Sequence, residues 1–265
     1  MKIGFIGCGN MGGALAEAIS TAPGVEALVF DFDKEKTERL KEKCGCIPTE
    51  AEELAKVCDF IFLGVKPAAV GAAIEGISQS LCENKRAVIV SMAAGVTIEK
   101  IENQLPCPHP VIRIMPNTPV AVGSGMTVYA ANQSLGSDAE EQFISFMAKT
   151  GTLDKIPEEL IDAACAVSGC GPAFAYMFVE ALAEGGAKCG LPKEKALLYA
   201  SRMIKGAMEM VEGTAKAPSR LKDEVCSPGG STIEGVHLLE EKDFPSICGE
   251  AITAAFEKTK KLGKG

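Results

Sequence analysis

The tightest constraint on fold in this 265-residue chain is the run Gly7-Cys8-Gly9-Asn10-Met11-Gly12, which follows the apolar segment KIGFI directly and opens a helical pattern. A lone GxGxxG is a weak pattern, but its placement between a first strand and a helix makes it the turn that binds a dinucleotide. Gly7 permits the tight turn, Gly9 lets backbone approach a pyrophosphate without a Cβ in the way, and Gly12 lets helix and strand pack closely. The helix N-terminus offers unpaired N–H groups and a positive dipole end to the phosphates. Ile6, Gly7, Cys8, Gly9, Asn10, Met11 and Gly12 are therefore candidate cofactor-binding residues; the competing reading is an ordinary glycine-rich turn.

Up to about residue 155, apolar runs alternate with amphipathic helical stretches: KIGFIG, EALVFD, DFIFLGV, AVIVSM and VIRIMP. Such alternation predicts βαβ units and a parallel sheet. Asp33 stands where a helix would start, and Thr49 with Glu52 three residues later has the form of a capping box. After Pro157 the strand signals stop and helices broken by Gly and Pro follow. The expected fold is an α/β N-terminal Rossmann-type parallel sheet, residues 1–155, and then a smaller all-α dimerisation domain, residues 156–265. Apolar residues on more than one face of ALLYASRMIKGAMEMV are too many for a small domain to hide alone, which points to a partner subunit.

Composition narrows the function. With 47% hydrophobic and 23% charged residues the chain is that of a folded globular protein, and a net charge of −8 gives no attraction for nucleic acid or anionic membranes. The opening MKIGFIG lacks a basic n-region and a cleavage site, and the longest apolar runs fall short of the roughly 20 residues that cross a bilayer. A soluble, cytoplasmic protein is expected. The eleven cysteines are scattered, as at Cys58, Cys165 and Cys248, rather than paired as CxxC, so they read as reduced core thiols and no metal is expected. Cys44 and Cys46, with one glycine between them, are the tightest pair.

Asp31 ends the second apolar run, near the spacing of about 20 residues from the glycine turn at which an acid bonds the ribose 2′-hydroxyl. With Asp33 close behind it would repel a 2′-phosphate, which favours NADH over NADPH; Asp33 alone also reads as a helix N-cap. Val65, Lys66 and Pro67, and Met92, Ala93 and Ala94, sit at strand C-terminal ends, where ligands bind in open parallel sheets, although Lys66 also reads as a solvated surface charge. Asn117 and Thr118 could orient a carboxamide or simply form a turn before Pro119. His109, between two prolines, reads as exposed, and neither it nor His237 has a partner for chemistry. Ser227-Pro228-Gly229-Gly230-Ser231-Thr232 lies between two helical stretches. Its amides could converge on a small carboxylate, or it could be an interhelical turn with Thr232 as cap.

The series IGCGNMG, LGVKP, SMAAGVTI, RIMPNTP, SGCGPAF, VEALAEGGAKCGLP and KDEVCSPGGSTIEG, in this order across essentially the whole chain, resembles the pyrroline-5-carboxylate reductases. The SPGG-x-T loop after a KDEV stretch is the most specific part. The resemblance implies NAD(P)H-dependent reduction of Δ1-pyrroline-5-carboxylate to L-proline. It implies Thr232 against the ring nitrogen, and Ser227, Gly229, Gly230 and Ser231 around the substrate carboxylate. It also implies a dimer or multiple of dimers, in which the substrate loop of one chain faces the cofactor domain of another. Asp31 and Asp33 depart from the neutral or basic residues of many relatives.

Overall fold

Eight strands form one sheet in the computed structural model, which describes residues 1–262. They are β1 (Lys2–Ile6), β2 (Glu26–Phe30), β3 (Ile47–Pro48), β4 (Phe60–Leu63), β5 (Val88–Ser91), β6 (Val111–Met115), β7 (Gly125–Ala131) and β8 (Gly151–Lys155), in the order 3-2-1-4-5-6-7-8. The run FIFL of β4 shows why the centre is apolar throughout: Ile61 and Leu63 face one core cluster, and Phe60 and Phe62 face the other. A sheet covered on both faces buries every residue of such a strand.

Strands β1 to β6 are parallel, the sheet expected from the alternating pattern, and β7 runs antiparallel to β6. The connection between them, residues 116–124 with a 3-10 turn at Thr118–Val122, is too short for the crossover that a parallel return needs. β8 then pairs parallel to β7. Its sequence GTLDK is half polar and mostly exposed, so it carries no strong strand signal.

The first helix, α1 (Asn10–Ser20), starts at Gly9; α2 (Lys34–Cys44) is capped by Asp33, whose side chain accepts from Glu35 N–H. The capping box expected at Thr49 does not form. Helix α3 (Ala51–Val57) takes Glu50 as its N-cap, and the Thr49 hydroxyl instead donates to the Ile47 carbonyl, because β3 holds the chain extended through Pro48.

Two compact units result, one of residues 1–170 with the chain from Ala254 onward, the other Gly171–Thr253. The division falls beyond residue 155 because the segment after β8 still packs on the sheet. Ile161, Cys165 and Ala166 are buried, and Arg113 of β6 donates to Glu158 (3.3 Å) and Asp162 (2.5 Å).

The second unit is helical: Gly171–Lys188, Lys193–Thr214, Pro218–Val225, Ser231–Glu241 and the first part of Phe244–Leu262. Among its described residues only Ala196 and Ala200 are buried, whereas Tyr176, Met177, Leu197, Leu198 and Met203 are exposed. This is far more bare apolar surface than a lone soluble domain carries. The helical run Glu158–Lys188, which continues through a π turn at Cys165–Gly169, is by length and composition apolar enough to cross a membrane. No stretch of that length was expected, since the sequence after Pro157 reads as helices broken by Gly and Pro.

His109 is buried rather than exposed, with Nδ1 3.0 Å from the Ala87 carbonyl oxygen and Nε2 3.5 Å from Cys107 Sγ. Its flanking prolines keep the chain extended, but the strand that follows carries it into the core. The cysteines divide: Cys8, Cys46, Cys58 and Cys165 are buried, while Cys82, Cys189 and Cys248 are exposed. Cys44 and Cys46 lie 3.4 Å apart between sulfurs as free thiols, and no metal-holding group occurs among the described residues.

Candidate active site

Because β1, β2, β4, β5 and β6 are parallel and adjacent, their C-terminal ends share one edge of the sheet, and the nucleotide candidates gather there. Gly7 has φ +97°, a conformation open to glycine, and its N–H donates to the Phe30 carbonyl at 2.8 Å. A Cβ on Gly12 would lie 2.1 Å from the Gly7 carbonyl oxygen, and one on Gly64 2.4 Å from the same atom, so helix, turn and β4 can meet only as glycines. Gly9, by contrast, has nothing within 4 Å of where its Cβ would be. It faces open space at the N-terminus of α1, where Asn10, Met11 and Gly12 lack intrahelical acceptors and no side chain caps them. The open cradle fits a pyrophosphate. Ile6, buried, and Cys8, buried with its thiol pushed up to about 12 by burial and the nearby Asp31 charge, are walls and not reactive groups.

Asp31 closes the turn from the next strand. Its carboxylate accepts from Cys8 N–H at 2.7 Å and Asp33 N–H at 2.9 Å, with the Lys36 ammonium 3.4 Å away. Burial pulls the carboxyl upward, but the Asp33 and Cys8 amides and Lys36 outweigh it and hold the group below the usual carboxylate value. Lys36 also lies 3.6 Å from Asp33, and Lys34 pairs with Glu50 at 2.9 Å. Lys36 was not among the residues expected here from the sequence; its position one helical turn past the Asp33 cap was the available signal.

Val65 is half-buried beside the glycine turn, Lys66 is exposed and Pro67 opens a 3-10 turn. Met92, Ala93 and Ala94 follow β5, with Ala93 N–H donating to Ser91 Oγ. Asn117 is buried and engaged at both ends, its Nδ2 donating to the Ser168 carbonyl and its Oδ1 accepting from Met126 N–H; Thr118 beside it is exposed. Between the β2 and β4 ends lies a pocket of about 460 Å³ lined by Ile6, Phe30, Phe32 and Val65.

Ser227–Thr232 belongs to the helical unit. Gly229 has φ +69°, and Gly230 N–H donates to the Ser227 carbonyl, closing a tight turn. Gly230, not Thr232, is the N-cap of Ser231–Glu241, and no side chain satisfies the first amides. Ser227, Ser231 and Thr232 are exposed. The loop therefore presents free N–H groups and three hydroxyls at a helix N-terminus, a cluster suited to a small carboxylate.

Residues 158–262 match the family described as pyrroline-5-carboxylate reductase dimerisation, and residues 2–95 the family described as NADP oxidoreductase, coenzyme F420-dependent. The chain is 38% identical over 268 residues to the pyrroline-5-carboxylate reductase of Escherichia coli (strain K12), covering 99% of this chain and 98% of that relative. The chain belongs to the pyrroline-5-carboxylate reductase family. It is 35% identical to human pyrroline-5-carboxylate reductase 2, covering 99% of this chain and 84% of the relative. A solved pyrroline carboxylate reductase from Plasmodium falciparum with NADP bound superposes with a TM-score of 0.90 at 33% identity, over 99% of this chain and 98% of the other. As a pyrroline-5-carboxylate reductase family member it is an NAD(P)-dependent oxidoreductase with a small-molecule substrate, and its helical part is an oligomerisation domain.

Proposed function

We propose that the chain reduces the C=N bond of Δ1-pyrroline-5-carboxylate to give L-proline, the last step of proline biosynthesis. The observation that carries this is the uncapped Ser227–Thr232 turn, with its free amides and hydroxyls, in a chain alike end to end to named reductases of this substrate. We assign residues 1–155 to the dinucleotide and 156–265 to substrate and dimer formation. In this reading Ser227, Gly229, Gly230 and Ser231 hold the substrate carboxylate, and the Thr232 hydroxyl hydrogen-bonds the ring nitrogen. The bound nicotinamide supplies the hydride. The imine is basic enough to arrive protonated, so the chain needs no dedicated acid for activation, and positioning is its main task. Ile6–Gly12, Asp31, Val65–Pro67, Met92–Ala94 and Asn117 form the cofactor's side of the site.

NADH is the preferred donor in this reading. Asp31, Asp33 and Glu50 outnumber Lys34 and Lys36, and both lysines are already paired with them, which leaves neither free for a 2′-phosphate. The apolar run through 158–188 is covered by a second copy and not by lipid, consistent with a cytoplasmic enzyme without membrane or nucleic-acid partners. Spectrophotometric oxidation of NADH and of NADPH with pyrroline-5-carboxylate, with proline identified as product, tests the reading. Absence of proline overturns the reaction, and equal or better efficiency with NADPH overturns only the cofactor choice.

A further inference from the structure

Helix α2 ends at Cys44, and Gly45 takes a left-handed conformation, φ +74°, with its N–H on the Lys41 carbonyl. That turn sends the chain back toward β3 and leaves the Cys44 and Cys46 sulfurs 3.4 Å apart. A disulfide bond is about 2.0 Å long, so a small movement separates contact from bond. The two thiols differ in access. Cys46 is buried in the core beside the Ala16 carbonyl of α1, whereas Cys44 is half-buried and donates to the Leu40 carbonyl at 2.9 Å. Burial and the contact with Cys44 push the Cys46 thiol up, so Cys44 is the sulfur that meets a reagent from solvent. A bond here closes a loop with one residue inside it, which constrains the unfolded chain too little to be a structural staple. It suits a reversible modification instead, since strained disulfides are the readily reduced ones.

We propose that Cys44 and Cys46 are a redox modification site that closes to an intramolecular disulfide in the presence of a small-molecule disulfide such as oxidised glutathione. The Cys44 sulfur attacks one sulfur of the oxidant, forming a mixed disulfide and releasing one small thiol, which takes the Cys44 proton. The Cys46 sulfur then attacks the Cys44 sulfur, and the second small thiol leaves with the Cys46 proton. Two protein thiols are oxidised and one disulfide is reduced to two thiols. Trypsin cuts after Lys43 and Lys56, so residues 44–56 form one peptide in which these are the only cysteines. The full-length protein is equilibrated at graded ratios of oxidised to reduced glutathione, quenched in acid, alkylated and read by peptide mass. In wild type the peptide should pass from doubly alkylated to unalkylated and lighter by two hydrogens, and dithiothreitol should reverse this. Half-conversion should need about tenfold less oxidant in folded protein than in urea, because the fold holds the sulfurs together. Cys46→Ser should stop at a glutathione adduct on Cys44, and Cys44→Ser should leave Cys46 unmodified. A wild-type peptide that stays doubly alkylated, or stops at the adduct, overturns the proposal without recourse to either variant. Equal conversion in folded and urea-unfolded protein also overturns it, because the pairing would then belong to the chain and not to the site.

Discussion

The carboxylate of Asp31 accepts a hydrogen bond from the N–H of Cys8 at 2.7 Å, which ties the end of β2 to the middle of the glycine turn. A single side chain thus fixes the shape of the glycine turn and, in the proposed reading, supplies the charge that meets the ribose. Asp31→Ser keeps a short acceptor and removes the charge. The ratio of kcat/KM for NADH to that for NADPH should fall by about tenfold, in line with one altered charge contact. An unchanged ratio in steady-state assays would assign selectivity elsewhere.

The same network makes stability depend on acid. The folded-state value of Asp31 is depressed, so its contribution is present above the unfolded carboxylate value of about 3.9 and is lost as pH falls through the lower folded value. Urea midpoints should decline from neutral pH toward pH 3, and Asp31→Asn should flatten that decline. Identical pH profiles for the two proteins would contradict the assignment.

Arg113 is fully enclosed between β6 and the segment that leaves the sheet, with Glu158 and Asp162 as its partners. Arg113→Met strands two largely shielded carboxylates and should cost about 3–5 kcal/mol in denaturant unfolding. Adding Glu158→Gln and Asp162→Asn should recover much of it. No recovery in the triple variant would mean that packing, not charge, sets the cost.

Thr232 is in the first turn of its helix but does not cap it. Thr232→Ala should therefore leave the melting temperature nearly unchanged and slow hydride transfer about tenfold to several hundredfold, the worth of one polar contact to a charged group. Single-turnover kinetics read the chemical step directly, and normal transfer would remove Thr232 from the site.

With Tyr176, Met177, Leu198 and Met203 bare in the single chain, the helical unit should assemble. Sedimentation at micromolar concentration should show a dimer or a multiple of one, and Leu198→Glu with Met203→Glu should shift it toward monomer. A wild-type monomer would contradict the assembly.

Local sequence determined the elements whose causes are local. The glycine turn was legible because Gly7, Gly9 and Gly12 answer to sterics within one βα unit, and the buried strands were legible because FIFL and VIRIM have no polar side to show. Asp33 as a cap was readable for the same reason. Tertiary structure decided what depends on distant neighbours. Burial of His109 follows from the strand it enters, and the reversal of β7 follows from a connection too short to cross over. The capping box lost to β3 pairing, and Gly230 displaced Thr232 as cap because the Ser227 carbonyl closes the turn first. Lys36 and Phe32 became visible only when helix α2 and the β4 edge were brought beside Asp31, since charge pairing and exposure are properties of the folded surface and not of spacing along the chain.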